Sequence, residues 1–297
     1  MTGIICINKP EGITSFGTVN RVRGIMRVKK AGHTGTLDPM ATGVLPVMLG
    51  AATRFLDFLP ESDKGYRAGF ILGKTTDTLD ITGRVTAEYK VDSTDEDVEK
   101  ILPRFTGRIT QLPPMFSAKS VDGVRLYELA RQGKEVERTP CEVEIKSLEL
   151  VSAENGVYTV DVLCSKGTYI RSLIDDIGKE LGCGAVMTSL VRTRAMGFTL
   201  DDCVTLEELE DIKKSSGSFE SKIISLEKVF EGYGRVYVSP AQATRFSNGG
   251  ALDVNRIKNI PLTDSPLCVY AQDGRFLGLG KIEGAELKIF KLMPLQV

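Results

Sequence analysis

One stretch of this chain concentrates residues that could do chemistry: Gly32-His33-Thr34-Gly35-Thr36-Leu37-Asp38-Pro39-Met40-Ala41-Thr42-Gly43-Val44-Leu45-Pro46. It reads as a rigid, glycine-jointed loop presenting one carboxylate, Asp38. Pro39 pushes Asp38 out of helical backbone angles toward extended ones, and glycines let backbone approach a ligand closely. His33, five residues ahead, is the only histidine in the chain. A turn with Asp38 as a local cap explains a bare Asp-Pro. It does not explain fifteen residues of this kind. A single ionised carboxylate held this way is equipped to act as a nucleophile or a base.

Other chemistries fit poorly. The six cysteines, Cys6, Cys141, Cys164, Cys183, Cys203 and Cys268, form no C-x-x-C pair. With one histidine they make a zinc site implausible and read as small buried hydrophobes. A Ser/His/Asp or Cys/His hydrolase would have to use His33 as its base. The run Gly69-Phe-Ile-Leu-Gly73-Lys74-Thr75 imitates a phosphate loop, but Ala68 stands where the first glycine is needed. The residues after it carry no helical apolar stripe, so it reads as a strand end and turn.

Those residues must be positioned by a folded scaffold, and the 297 residues suffice for two domains, one much smaller than the other. Apolar residues make up 42% and charged residues 26%, which fits a globular enzyme and excludes a disordered or fibrous chain. The longest greasy stretch, Val44 to Ala52, is broken by Pro46 and Gly50, far short of the roughly 20 residues that span a bilayer. No signal peptide is recognisable, and a cytoplasmic protein is expected. Lys and Arg number 38 against 39 Asp and Glu. The near-balance hides asymmetry. Arg21, Arg23, Arg27, Lys29 and Lys30 fall within ten residues without an acid, and residues 101–140 carry seven bases against four acids. Residues 200–231 hold nine acids and four lysines. Charge alone favours a reading as solvated helix faces. One basic surface with the acids elsewhere is also what an RNA-binding enzyme shows.

Along the chain, Ile4–Asn8 reads as a buried strand. Thr14 or Ser15 caps a helix to about Arg27, with Val19, Val22, Ile25 and Met26 on one side. Residues 31–43 read as loop and Tyr66–Leu72 as a strand. Residues 84–89 form a second strand, Asp95–Phe105 a short acidic helix and 106–124 a mobile excursion. Helices follow at Leu126–Gln132, from about Thr168 to Leu181, and at Leu206–Lys214. Strands occupy 142–151 and 157–164, and an apolar run with Arg192 and Arg194 lies in 185–199. After Gly232-Tyr233-Gly234 only strands and turns are expected, the clearest being a hairpin through Asp273-Gly274.

The aspartate loop closely resembles the catalytic motif of pseudouridine synthases in the tRNA pseudouridine-55 synthase branch, the TruB type. Other motifs of that family recur in order. They are Asn8-Lys9-Pro10-Glu11-Gly12, Lys64-Gly65-Tyr66-Arg67, Thr76-Asp77-Thr78-Leu79-Asp80, Lys166-Gly167-Thr168-Tyr169-Ile170-Arg171-Ser172-Leu173, and Leu190-Val191-Arg192-Thr193-Arg194. The resemblance covers essentially the whole chain and is weakest at the C-terminal end. It implies an α+β catalytic domain, residues 1–231, with a mixed, largely antiparallel central sheet flanked by helices and an RNA-closing insertion at about 106–140. A small β-barrel-like PUA RNA-binding domain, 235–297, would follow, and its deletion would leave slow catalysis.

The implied reaction isomerises uridine to pseudouridine at position 55 in the T-arm stem-loop of tRNA, breaking a C1′–N1 bond and forming C1′–C5. It requires no redox change and no phosphate energy, so no cofactor or metal is expected. The resemblance makes Asp38 the nucleophile. Attack at C1′, abstraction of the 2′ proton and addition at C6 all stay open. Arg171 would keep Asp38 ionised, with Asp80 holding Arg171 in a charge network. The target base must be everted; Tyr66 would stack on it and handle the C5 proton, Leu190 would pack on it, and His33 would fill the vacated space. Tyr169 would hold these side chains in place and Lys9 would organise the loop beside the substrate. Arg27, Lys29, Lys30 and Arg192 would meet RNA phosphates. The chain would work as a monomer without a protein partner or membrane. Two alternatives remain, the guide-RNA-dependent branch that works inside a ribonucleoprotein and a non-catalytic RNA-binding or tRNA-folding protein.

Overall fold

The computed structural model describes residues 1–121 and 123–294. Its backbone is one mixed sheet whose seven main strands run in the order Gly3–Lys9, Thr42–Leu49, Ala185–Ala195, Lys64–Leu72, Val157–Cys164, Cys141–Glu154, Gly107–Gln111. All adjacent pairs are antiparallel except Ala185–Ala195 with Thr42–Leu49, which pair in parallel over two residues. The expected α+β architecture is therefore present. The first strand, Gly3–Lys9, is apolar enough to be buried on both faces, and its free edge is covered by bridges from Ile4 to Ile224 and Ile7 to Val204.

Helices close the faces for reasons visible in the sequence. Thr14 accepts a hydrogen bond from the Gly17 amide and starts the helix Ser15–Met26, which buries Val19, Val22, Ile25 and Met26 against Leu45 and Val47 of the sheet and Leu206 and Leu209 of a neighbouring helix. The helix Ile170–Glu180 packs Leu173, Ile174 and Ile177 against Phe70, Val160 and Met187 on the other side.

Several expectations need correction. Ala31–His33 is a short strand on Thr42–Leu49, not loop. Gly107–Gln111 is an edge strand of the main sheet, so the excursion begins only after it. The helix from Asp95 is α-helical only to Ile101 and continues as a 3-10 turn to Phe105. Lys74–Thr76 is a strand that pairs with Val85–Glu88.

The C-terminal residues form a five-stranded curled sheet, consistent with a PUA-like domain. It also contains a helix, Pro240–Ser247, where only strands and turns were expected. Its signal was present: Ser239 and Gln242 make a reciprocal capping box with Pro240 at the first helical position. This sheet shares an apolar cluster with the catalytic sheet. Cys268, Tyr270 and Leu279 pack with Ile4, Val44, Met48 and Phe55, and Phe55 lies 6.0 Å from both Phe230 and Phe276. Deleting residues 235–297 would uncover that cluster. The two sheets therefore share part of one core. Among the described residues no helix is long and apolar enough to cross a membrane.

Candidate functional site

Sheet register brings the separated motifs together. Tyr66 pairs with Arg192 and Ala68 with Leu190 on the adjacent strand, while Arg192 also pairs with Gly43, just beyond the aspartate loop. Tyr66 and Leu190 therefore sit beside the loop, and Arg171, the second residue of its helix, reaches the same place from above the sheet.

Two buried cations hold the loop. Lys9, fully buried, donates from Nζ to the carbonyls of Ala41 (2.6 Å), Pro10 (2.8 Å) and Pro39 (3.2 Å). Arg192, 1% exposed, donates from Nε to Val44 O at 2.7 Å, from Nη1 to Thr36 O at 3.3 Å and from Nη2 to Gly35 O at 3.2 Å. Ser15 pins the middle, accepting from Leu37 N and donating to Leu37 O. A loop whose carbonyls point inward needs such donors, because an unpaired buried carbonyl is costly. Gly43 explains the close strand approach: at φ +102°, a Cβ there would lie 2.3 Å from Arg192 O. This glycine admits backbone, not ligand.

Asp38 projects from the loop into a fork. Arg171 Nε is 2.9 Å from Asp38 Oδ2 and Nη2 donates to Oδ1 at 3.2 Å. The same guanidinium donates to Thr78 O at 2.9 Å and Phe116 O at 2.8 Å, and Nη1 is 3.8 Å from Asp80 Oδ2. Asp80 is 4% exposed and is itself fixed by Thr78 and Thr82 hydroxyls on Oδ1. Its expected partnership with Arg171 is thus present as geometry. The electrostatics differ from expectation. Burial pushes the Asp38 pKa up and Asp80 adds to that; Arg171 and Lys9 pull it down, but the net displacement is above the ordinary carboxylate value.

Asp38, Tyr66, Tyr169, Arg171 and Leu190 line one cavity of about 370 Å³, together with Lys64 and with Ser117 to Lys119 of the insertion. Tyr66 and Leu190 are each 7% exposed, and burial raises the Tyr66 phenol while Arg192 opposes it. The segment after Gln111 is anchored here: Ser172 Oγ donates to Leu112 O, and the Gln111 amide pairs with both backbone groups of Tyr169. A cavity of equal volume lies in the C-terminal sheet, but its charged lining residues, Asp273 and Arg275, pair with each other at 2.8 Å.

The other expected site residues lie outside the cavity lining. Lys9 organises the loop, as expected, and does not face the cavity. Arg192, expected on RNA phosphates, is instead buried with its guanidinium committed to loop carbonyls. His33 lies outside the cavity lining, with Nδ1 buried and unpaired, and burial lowers its pKa so the ring is neutral at pH 7. Arg27, Lys29 and Lys30 are exposed, whereas Arg21 pairs with Glu210. Lys64 belongs to one of the motifs but carried no expected role of its own. Two residues before Tyr66 on one strand, it shares that face of the pleat, and the alternation would have found it. Among the described residues no group of three or more His, Cys, Asp or Glu is placed to hold a metal ion.

Comparison with known proteins agrees across the chain. The family model described as TruB family pseudouridylate synthase (N terminal domain) matches residues 23–170, and that of the tRNA pseudouridylate synthase B C-terminal domain matches residues 171–231. The chain is 43% identical over 288 residues to tRNA pseudouridine synthase B of Pseudomonas fluorescens (strain Pf0-1), covering 95% of this chain and 92% of the relative. It is 42% identical over 296 residues to the protein of that name from Clostridium perfringens (strain 13 / Type A), covering 99% of each. Among solved structures, a chain in the crystal structure of a Cbf5-Nop10-Gar1 complex superposes with a TM-score of 0.75 at 28% identity, over 98% of this chain and 85% of that one. A chain in the structure of an H/ACA RNP bound to a substrate RNA containing 2'-deoxyuridine gives 0.72 at 26% identity, over 98% and 84%.

Proposed function

The chain belongs to the TruB family of pseudouridylate synthases, and from that premise we propose that it isomerises uridine 55 in the T-loop of tRNA, with Asp38 as nucleophile. It is an isomerase that makes pseudouridine in tRNA. The observation that carries the finer reading is the Arg171 fork on Asp38 at the wall of a cavity lined by Tyr66 and Leu190. A carboxylate locked in two hydrogen bonds keeps one orientation, and the cavity has room for an everted base. Tyr66 supplies an aromatic face and a phenol, Leu190 the apolar side of the slot, Tyr169 its support. His33 fills the gap left in the RNA. The reaction breaks C1′–N1, lets uracil reorient and forms C1′–C5. The proton lost from C5 ends on N1, so atoms and electrons balance without a cofactor. We read the C-terminal sheet as a PUA domain extending the RNA surface, and the chain as acting alone.

Purified chain should convert a bare T-arm stem-loop transcript, forming one pseudouridine at position 55 without guide RNA or partner. Modification elsewhere, or only with an added guide RNA, would favour the ribonucleoprotein branch to which the structural neighbours belong. The 41–43% identity to proteins named tRNA pseudouridine synthase B, against 26–28% to those neighbours, supports the first reading.

Arg27, Lys29 and Lys30 are exposed and form no ion pair among the described residues. Neutralising all three should flatten the slope of log K against log salt by up to ~0.9 for each phosphate that is no longer neutralised. An unchanged slope would make the cluster a solvated face.

A further inference from the structure

The cations around the cavity are unevenly matched. Arg171 faces Asp38 and Asp80. Lys64 and Arg192 have no acidic partner among the described residues: no carboxylate contributes to the electrostatics of either. Of the nearby acids, Asp63 pairs with Lys146 and Glu61 with Lys166, and Asp57, on the wall of a cavity shared with both cations, forms an ion pair with neither. Lys64 donates no hydrogen bond to the described protein, and burial together with the Arg192 charge holds its ammonium below the ordinary lysine value.

Both cations converge on Gly35. A Cβ at that position would lie 3.2 Å from Lys64 Nζ and 3.6 Å from Arg192 Nη1. That contact is already tight for a methyl group, so room for a ligand lies in the cavities that Lys64 lines, the Asp38 cavity and an adjoining one of about 230 Å³ that also touches Asp57, Glu61, Lys166 and Arg192. Two like charges facing one gap without a counter-ion are costly in a partly dry site. A neutral uracil carbonyl would satisfy a donor and leave the charge unmatched. An anion does both.

We propose that Lys64 is a substrate-contacting residue whose ammonium, backed by Arg192, holds a phosphodiester flanking the everted uridine at the Asp38 cavity that Lys64 lines. The inference rests on the RNA-isomerase reading above. It adds a contact that fixes the ribose relative to Asp38, since a phosphate clamped beside the cavity sets where C1′ can lie.

The test compares parent and Lys64→Gln in equilibrium binding to three T-arm stem-loops. One is unmodified, and the others carry a charge-free methylphosphonate immediately 5′ or 3′ of the target uridine. With the parent, one methylphosphonate should weaken binding about tenfold or more, the size of a charge-assisted hydrogen bond. Lys64→Gln should lose a similar factor on unmodified RNA and nothing further on that methylphosphonate RNA. Lys64→Arg, which keeps the charge, should bind within a few-fold of the parent. A Lys64→Gln loss that is equal on all three RNAs overturns the proposal, as does a parent indifferent to both methylphosphonates. The latter measurement needs no altered protein, so misfolding of a variant cannot mask it. Pseudouridine formation by the parent on the unmodified RNA is scored separately. Its absence would overturn the functional reading, whereas intact turnover without coupling would overturn only the role of Lys64.

Discussion

Asp38→Asn should abolish pseudouridine formation while changing tRNA affinity only a few-fold. The substitution keeps volume and leaves Arg171 its contacts to Thr78 O, Phe116 O and Asp80. It removes the one charge that can attack. Phosphate contacts elsewhere, which dominate affinity for RNA, are untouched. The same variant should melt no lower than the parent at pH 7. Burial raises the Asp38 pKa in the folded chain, so the folded state holds that proton more tightly than the unfolded one. The ionised form therefore opposes folding, and the cost appears as pH rises through the folded value. Asparagine carries no such cost, and the gap to the parent should close once acid has protonated Asp38. Turnover by a verified Asp38→Asn preparation would sink the nucleophile assignment. A clearly lower melting point would show that the carboxylate supports the fold.

Arg171→Met should be damaging in both respects. The guanidinium, 6% exposed at the side chain, faces two carboxylates. Removing it strands them, which costs about 3–5 kcal/mol in buried pairs of this kind. Activity should fall at least 10²–10³-fold, the scale of losing one preorganised charge-stabilising donor. The pH profile carries a further sign. Asp38 must be ionised, so activity falls as pH drops through its pKa, and the parent's acid limb should lie above the ordinary carboxylate value. Arg171 pulls that pKa down, so in the variant the residual activity should retreat to still higher pH. Adding Asp80→Asn should recover part of the stability without restoring the rate, because the two sites are coupled through one network. A variant as stable as the parent, with an unmoved acid limb, would contradict this balance of charges.

Much of this was legible because the aspartate loop and the Lys166–Leu173 segment are long and their residue types demand one another. Helices with caps and stripes, such as Ser15–Met26 and Leu206–Lys214, appear where their periodicity places them. What failed was burial of charge. An arginine in a sequence reads as a surface or ligand contact, and nothing local reveals that Arg192 instead satisfies carbonyls of a distant loop. Gly107–Gln111 was masked by its Pro- and Gly-rich flanks, although pairing with Val143 and its neighbours fixes it as a strand. The Pro240–Ser247 helix is short and carries few apolar residues, so its capping box was its only strong signal.

The clamp of Arg192 on residues 35–44 also bears on when the enzyme becomes functional. Asp38 leaves the ribosome 154 residues before Arg192, and the outer edge of the first strand is bridged by residues 204 and 224. At ~5–20 residues per second of synthesis, roughly 8–30 s pass between the nucleophile and its clamp. During that interval the carbonyls of Gly35, Thr36 and Val44 lack their Arg192 donor, while Lys9 and Ser15 are already present to hold those of Leu37, Pro39 and Ala41. Such long-range pairing slows folding and exposes the nascent chain to aggregation. Catalytic competence is thus a late event in biosynthesis. A ribosome stalled before Arg192 releases a polypeptide that carries Asp38 on a loop still short of its Arg192 clamp.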